Sequence, residues 1–143
     1  MEIQIQEKES KLQVLIKCQQ FDEHIRRLKS HIELFDNKLR AKTEGAYCFV
    51  DAGDVLYFES VDNRVFLYTE ECVMEVQQKL YMLEECLPGE DFIRISKSQI
   101  VNINKIRALQ PELNRTILAT MCNGEQLVIS RKYVKELRQL LSV

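Results

Sequence analysis

No apolar run in this 143-residue chain approaches the roughly 18 residues that a membrane span requires, so insertion into a bilayer is not expected. The opening residues, Met-Glu-Ile-Gln-Ile-Gln-Glu, have neither the basic nor the apolar region of a secretory signal, and a cytoplasmic location is expected. Cys18, Cys48, Cys72, Cys86 and Cys122 are odd in number and include no Cys-x-x-Cys pair. That argues against a disulfide framework and a zinc site, and suits free thiols in a reducing compartment. His24 and His31 would lie about 10 Å apart on one helix and cannot share a metal ion. There is no Ser/His/Asp or Cys/His set, no phosphate-binding loop and no paired carboxylates. An enzyme, a cofactor and a metal centre are therefore not expected. Repeats and low-complexity linkers are also missing. At 45% hydrophobic and 29% charged residues, the chain reads as one globular domain with a small extension.

Acidic residues are scarce in the last part of the chain, and the charge balance differs between its two parts. The overall net charge is only −2, but residues 1–91 hold 11 Lys and Arg against 19 Asp and Glu, whereas residues 92–143 hold 9 against 3. A basic face set apart from an acidic one suits a polyanionic partner; solvated helix faces that differ in sign by chance are the plainer alternative.

Ile3 and Ile5 alternate with polar residues and predict a strand over 2–6; Leu12, Val14, Leu15 and Ile16 predict a second over 12–17. Phe21, Ile25, Leu28, Ile32, Phe35 and Leu39 follow at spacings of 4, 3, 4, 3 and 4, which predicts an amphipathic helix of about 20 residues closed by Gly45. Beyond it the pattern is mostly β. Strands are expected at Tyr47–Val50 and Val55–Glu59 around a turn at 51–54, and a hairpin pairs Val65–Thr69 with Val73–Val76. A short helix through Leu80, Leu83 and Leu87 stops at Pro88-Gly89. Further strands are expected at Phe92–Ser96, Ile106–Leu109, Thr116–Met121 and Gln126–Ile129, with a turn at Asn123-Gly124. Ser130 is expected to cap a last helix that runs through Leu141, with Val134, Leu137 and Leu141 facing inward.

Two clusters concentrate the chemistry. Phe92–Ile106 and Ser130–Tyr133 set Arg94, Ser96, Lys97, Ser98, Arg131 and Lys132, all able to donate to phosphates, beside apolar anchors such as Ile93, Ile95, Ile100 and Val101. Asn102 reads mainly as a side chain that ties down the turn backbone, and Glu59 and Ser60 as shaping the hairpin entry. Tyr133 reads as a core anchor. Arg94 is open between a phosphate and an internal carboxylate.

Residues 46–143 resemble the LytTR type of DNA-binding domain found in bacterial transcription regulators. The resemblance rests on Leu-Tyr-Phe-Glu-Ser at 56–60, Phe-x-Arg-x-x-Lys-Ser at 92–98, Ile-Val-Asn at 100–102, Asn-Gly at 123–124 and Ser-Arg-Lys-Tyr at 130–133, in the family's order. It implies a mostly β (α+β) fold: an elongated antiparallel β domain with short helices, here preceded by a strand–strand–helix extension over 1–45. It also implies that DNA is contacted by loops entering successive major grooves rather than by a recognition helix. The loops would carry Asn63 and Arg64 in the turn at 62–64, Ser96, Lys97 and Ser98, and Arg131 with Lys132; Arg suits a guanine edge. The family often has His where Ser96 stands, so Lys97 is expected to matter more. Residues 1–45 are too short for a receiver domain, and a stand-alone form not controlled by phosphorylation is expected.

The leading expectation is a sequence-specific regulator that binds double-stranded DNA. The competing one is a protein-interaction module whose basic face meets an acidic partner. A weak homodimer through residues 1–45 is expected, against a helix that simply packs on its own domain.

Overall fold

The computed structural model describes the chain apart from Glu9, Lys11, Asp36 and Val143 and the side chains of Ser30, Glu33, Leu34 and Phe35. Helix α1 (Glu23–Phe35) leads into a hairpin of β1 (Lys38–Thr43) and β2 (Ala46–Asp51), and a single 3-10 turn follows at Ala52–Asp54. Next come β3 (Tyr57–Val61), β4 (Arg64–Tyr68), β5 (Val73–Val76), α2 (Leu80–Cys86), β6 (Phe92–Ser96) and β7 (Gln99–Asn102). After a second 3-10 turn at Ile103–Lys105, the chain ends in β8 (Ile106–Pro111), β9 (Ile117–Met121), β10 (Gln126–Ile129) and α3 (Arg131–Leu141).

Seven strands form one antiparallel sheet in the order β2-β1-β5-β4-β3-β7-β6, and the other three form a second in the order β10-β9-β8. Two cores result. Phe58, Leu67, Val65, Phe92 and Ile100 turn one face of the large sheet toward Leu80, Leu83 and Leu87 of α2 and its flank. From the opposite face Tyr57, Ile93, Ile95 and Val101 meet Ile117, Ala119, Met121, Leu127 and Ile129 of the small sheet, with Leu137 of α3. The β3-β7-β6 end is thus covered on both sides, and so Phe92, Ile93, Ile95, Ile100 and Val101 are all buried. The β2-β1 end is covered on one side only. Leu39 and Ala41 point into the first core, while Arg40 and Lys42 are exposed on the other face, and Tyr47 and Phe49 of edge strand β2 are 54% and 73% exposed.

The front of the chain corrects the expectation. Residues 2–6 and 12–17 are not strands; nearly all are exposed, and they join neither sheet. The helix is 13 residues long and ends at Phe35. Its start is capped by Asp22, whose Oδ1 accepts the Ile25 N–H at 3.0 Å. Ile25, Leu28 and Ile32 are half-buried, Phe21 is exposed, and the Phe35 side chain lies outside the described residues. Leu39 continues the helical spacing but is a core residue of β1, where period two takes over. Gly45, at φ +81, does not close a helix: with Glu44 at φ 47 it makes the two-residue turn between paired Thr43 and Ala46. β1 therefore joins the sheet through β2 and β5 although it lies within residues 1–45.

Candidate nucleic-acid interface

Three turns carry the residues singled out above. The first is the two-residue link between Val61 and Arg64, which are paired across β3 and β4. Asp62 and Asn63 both have left-handed backbones, at φ 51 and 62, a conformation that Asp and Asn tolerate better than most residues. Arg64 opens β4. Its Nε and Nη2 donate to Glu75 at 3.0 and 2.6 Å, and its guanidinium lies 5.3 Å from the Phe66 ring centre. That hydrogen bond holds the Glu75 carboxyl below its ordinary range and raises the Arg64 guanidinium further. The Arg64 side chain is still 60% exposed, and Nη1 is not used in the pair.

The second turn, Ser96–Ser98, joins β6 to β7. Pairing slips by one residue between Arg94 and Ser96, a β-bulge that re-aims the chain at Ile95. Lys97 is exposed and Ser96 and Ser98 are half-buried; the Ser96 hydroxyl accepts the Ser98 N–H at 3.2 Å. Arg94 does not point to solvent. Its Nε donates to the Ser96 carbonyl at 2.8 Å, and its other nitrogens to the Lys97 carbonyl and to Glu84 of α2. A carboxylate partner of the kind weighed for Arg94 is thus present, in Glu84, whose own side chain is partly exposed. Arg94 braces the turn from beneath.

The third is the start of α3. Ser130 sits at the cap position without a side-chain capping bond. Arg131 and Lys132 are exposed in the first turn, which has no acidic residue, and the Lys132 ammonium lies 5.4 Å from the Tyr133 ring centre. Two cations against the positive end of a helix dipole are unfavourable by themselves and favourable once an anion joins them.

Backbone hydrogen bonds bring these turns together. The Ser60 N–H donates to the Ser98 carbonyl at 2.8 Å, and the Ser130 N–H to the Ile95 carbonyl at 2.9 Å. The bulge frees the Ile95 carbonyl from regular pairing with β7. Glu59 adds a side-chain tie: it accepts from Gln99 Nε2 at 2.6 Å and from the Tyr68 hydroxyl at 3.4 Å. Beyond Arg131 runs an open groove of about 820 Å³ between α3 and the β8–β9 turn, lined by Arg115, Arg131, Lys135 and Arg138, with Glu112 as the one acidic side chain among the described lining residues. Sequence reasoning missed this groove, although 131, 135 and 138 stand at helical spacing. It also missed the tie from Gln99 to Glu59 and the two carbonyl contacts that Arg94 makes beside its carboxylate, for which the residue pattern holds no signal.

Asn102 is fully buried. It donates to the Val55 carbonyl at 2.8 Å and the Gly53 carbonyl at 3.4 Å, and its Oδ1 accepts the Asn104 N–H. It ties down the backbone as expected and is out of a ligand's reach. Tyr133 is half-buried against the second core. Among the described residues no cluster of His, Cys, Asp and Glu fits a metal ion, and no helix is long and apolar enough to cross a membrane.

Residues 45–142 match the LytTr DNA-binding domain family. Over 107 residues the chain is 34% identical to the sensory transduction protein LytT of Bacillus subtilis (strain 168), covering 75% of this chain and 44% of that protein. Over 94 residues it is 34% identical to an uncharacterized HTH-type transcriptional regulator of Staphylococcus aureus (strain NCTC 8325 / PS 47), covering 66% of this chain and 63% of that one. A solved LytTr DNA-binding domain from Bacillus cereus superposes with a TM-score of 0.72 at 32% identity, covering 76% of this chain and 99% of that domain. The chain belongs to the LytTR family of DNA-binding domains, which are bacterial transcription regulators and not enzymes. It spans about half the length of the curated relatives it matches.

Proposed function

We propose that this protein is a cytoplasmic transcription regulator that reads a specific double-stranded DNA sequence with the three turns at 62–64, 96–98 and 130–132. One observation carries the reading: the Ser60–Ser98 and Ser130–Ile95 backbone bonds fasten the three turns to the doubly covered end of the sheet, so they form one pre-set rim. Asn63, Lys97 and Arg131 offer donors to base edges in the major groove, and Arg64, Ser96, Ser98 and Lys132 hold neighbouring phosphates. Arg94 belongs to this site as a positioning residue. The cationic groove beyond Arg131 follows the backbone further along the duplex. A homodimer formed through residues 1–45 sets two such rims on paired half-sites, which raises occupancy against non-specific competition.

Selection from a random duplex pool, followed by titration of the enriched sequence over a range of salt, tests the reading. One enriched sequence is expected, bound with a log K that falls linearly with log salt. Equal affinity for random duplexes and for an acidic polypeptide, with nothing enriched, would refute it and favour the protein-interaction alternative.

A further inference from the structure

The β2 edge and the N-terminal residues complement each other. β2 exposes a free backbone ladder, and its sequence, Ala-Tyr-Cys-Phe-Val-Asp, carries no Lys or Pro of the kind that guards an edge. Tyr47 and Phe49 leave their rings open to solvent on the uncovered face. Beside them are cations of β1: the Arg40 guanidinium and Lys42 ammonium lie 5.2 and 5.9 Å from the Tyr47 ring centre, with Lys38 exposed at the strand's end. Residues 2–6 alternate Glu-Ile-Gln-Ile-Gln as a strand does, with Ile3 and Ile5 80% and 85% exposed. Acidic Glu2 and Glu7 flank the isoleucines. Within a single chain this segment joins neither sheet.

We propose that residues 2–6 of one copy add as an outer strand to β2 of a second copy, and reciprocally, so that the protein dimerises by exchanging its N-terminal segments. The inference rests on the homodimer reading above and names its surface. Added backbone bonds satisfy the open edge of β2, Ile3 and Ile5 cover Tyr47 and Phe49, and Glu7, on the same face of the strand as the isoleucines, turns its carboxylate toward the cations of β1. Because the exchange is two-fold, each copy gives one segment and receives one, and the assembly closes at two.

The full chain is measured by sedimentation equilibrium beside Phe49→Lys and Ile3→Lys/Ile5→Lys, sites exposed enough for the domain to fold unaided. A 1:1 mixture of ordinary and nitrogen-15-labelled protein is then cross-linked through lysines. Expected are a wild-type dimer, a dissociation constant raised about tenfold or more in each variant, and mixed-isotope links from Lys8 to Lys38 or Lys42. A dimer that tolerates both variants, or Lys8 links of one isotope only, overturns the exchange and leaves the homodimer reading in place. A wild-type chain that stays monomeric with and without DNA overturns both.

Discussion

Replacing Arg94 with glutamine removes a guanidinium that reaches the carbonyls of Ser96 and Lys97 and the carboxylate of Glu84 at once. The side chain is only 20% exposed, whereas Glu84 is 43% exposed. The two carbonyl bonds therefore carry most of the effect. A hydrogen bond from a charged donor is worth roughly 1.5–3 kcal/mol, and the partly exposed ion pair about 0–1 kcal/mol. Water can replace part of this at a surface turn, which leaves a stability loss of about 2 kcal/mol. The effect on DNA is separate. Three residues, Ser96–Ser98, lose their brace, and ordering backbone on binding costs about 1–2 kcal/mol for each residue that was free. With Ser60 still holding Ser98, we expect affinity to fall by about 1.5–3 kcal/mol, roughly ten- to a hundredfold.

Anisotropy titrations at several salt concentrations separate bracing from contact. Bracing predicts that Arg94→Gln keeps the wild-type slope of log K against log salt. It also predicts that Arg94→Lys loses nearly as much affinity, because an ammonium lacks the fork that spans three acceptors. A phosphate contact predicts a slope smaller by about 0.9 and near-normal binding by the lysine variant. That second pattern, or unchanged affinity in Arg94→Gln, would refute the bracing argument.

Arg131→Ala is expected to lower affinity for the selected site by about 1–3 kcal/mol and to relax preference at one base pair; selection with the variant protein checks this. Lys97→Ala and Lys132→Ala are to be titrated together over salt: removing a cation that pairs with a phosphate flattens the slope by roughly one unit, whereas removing a base-reading group at Lys97 shows instead as relaxed selection. Cys122 donates its S–H to Glu70 at 3.0 Å, and burial first, then that carboxylate, pushes the thiol pKa up. Glu70→Gln should therefore speed alkylation of Cys122 by iodoacetamide at neutral pH, read by peptide mass spectrometry, through a larger thiolate fraction.

Legibility followed local pattern. β6, β10 and α3 have the bounds read from the residues, because alternation, an Asn-Gly turn and a helical stripe mark them without ambiguity. β7 went unread: Ile100 faces one core and Val101 the other, so two adjacent buried residues hide the strand period. The helix end was misplaced because Leu39 satisfies helical spacing and strand alternation alike. The three turns were legible as candidates, yet their proximity was not. It depends on a bulge at Ile95 and on backbone bonds at Ser60 and Ser130, which no side-chain type announces. For the same reason the role of Arg94 could not be settled from sequence, since two of its three partners are carbonyls.

Strand β3 divides stability from recognition along its length. Its far end holds Ser60 beside the rim. Its near end holds Tyr57, stacked on Tyr68 with ring centres 4.3 Å apart and donating to Glu125 of the small sheet at 2.7 Å. This bond fastens one sheet to the other across the second core, and neither of the backbone bonds that set the three turns, Ser60–Ser98 and Ser130–Ile95, involves Tyr57 or Glu125. Burial, then Glu125, push the Tyr57 phenol well above its ordinary value near 10. A folded-state pKa above the unfolded one gives stability that is complete below pH 10 and drains away as pH rises above it. Tyr57→Phe should therefore cost about 1–2 kcal/mol at neutral pH and shallow the alkaline limb of the stability curve, both read by denaturant unfolding at stepped pH. Its affinity for the selected duplex should stay within about twofold of wild type, because the rim keeps every bond that sets it. A matching loss of affinity would show that the two sheets and the rim act as one unit, and that the division along β3 does not hold.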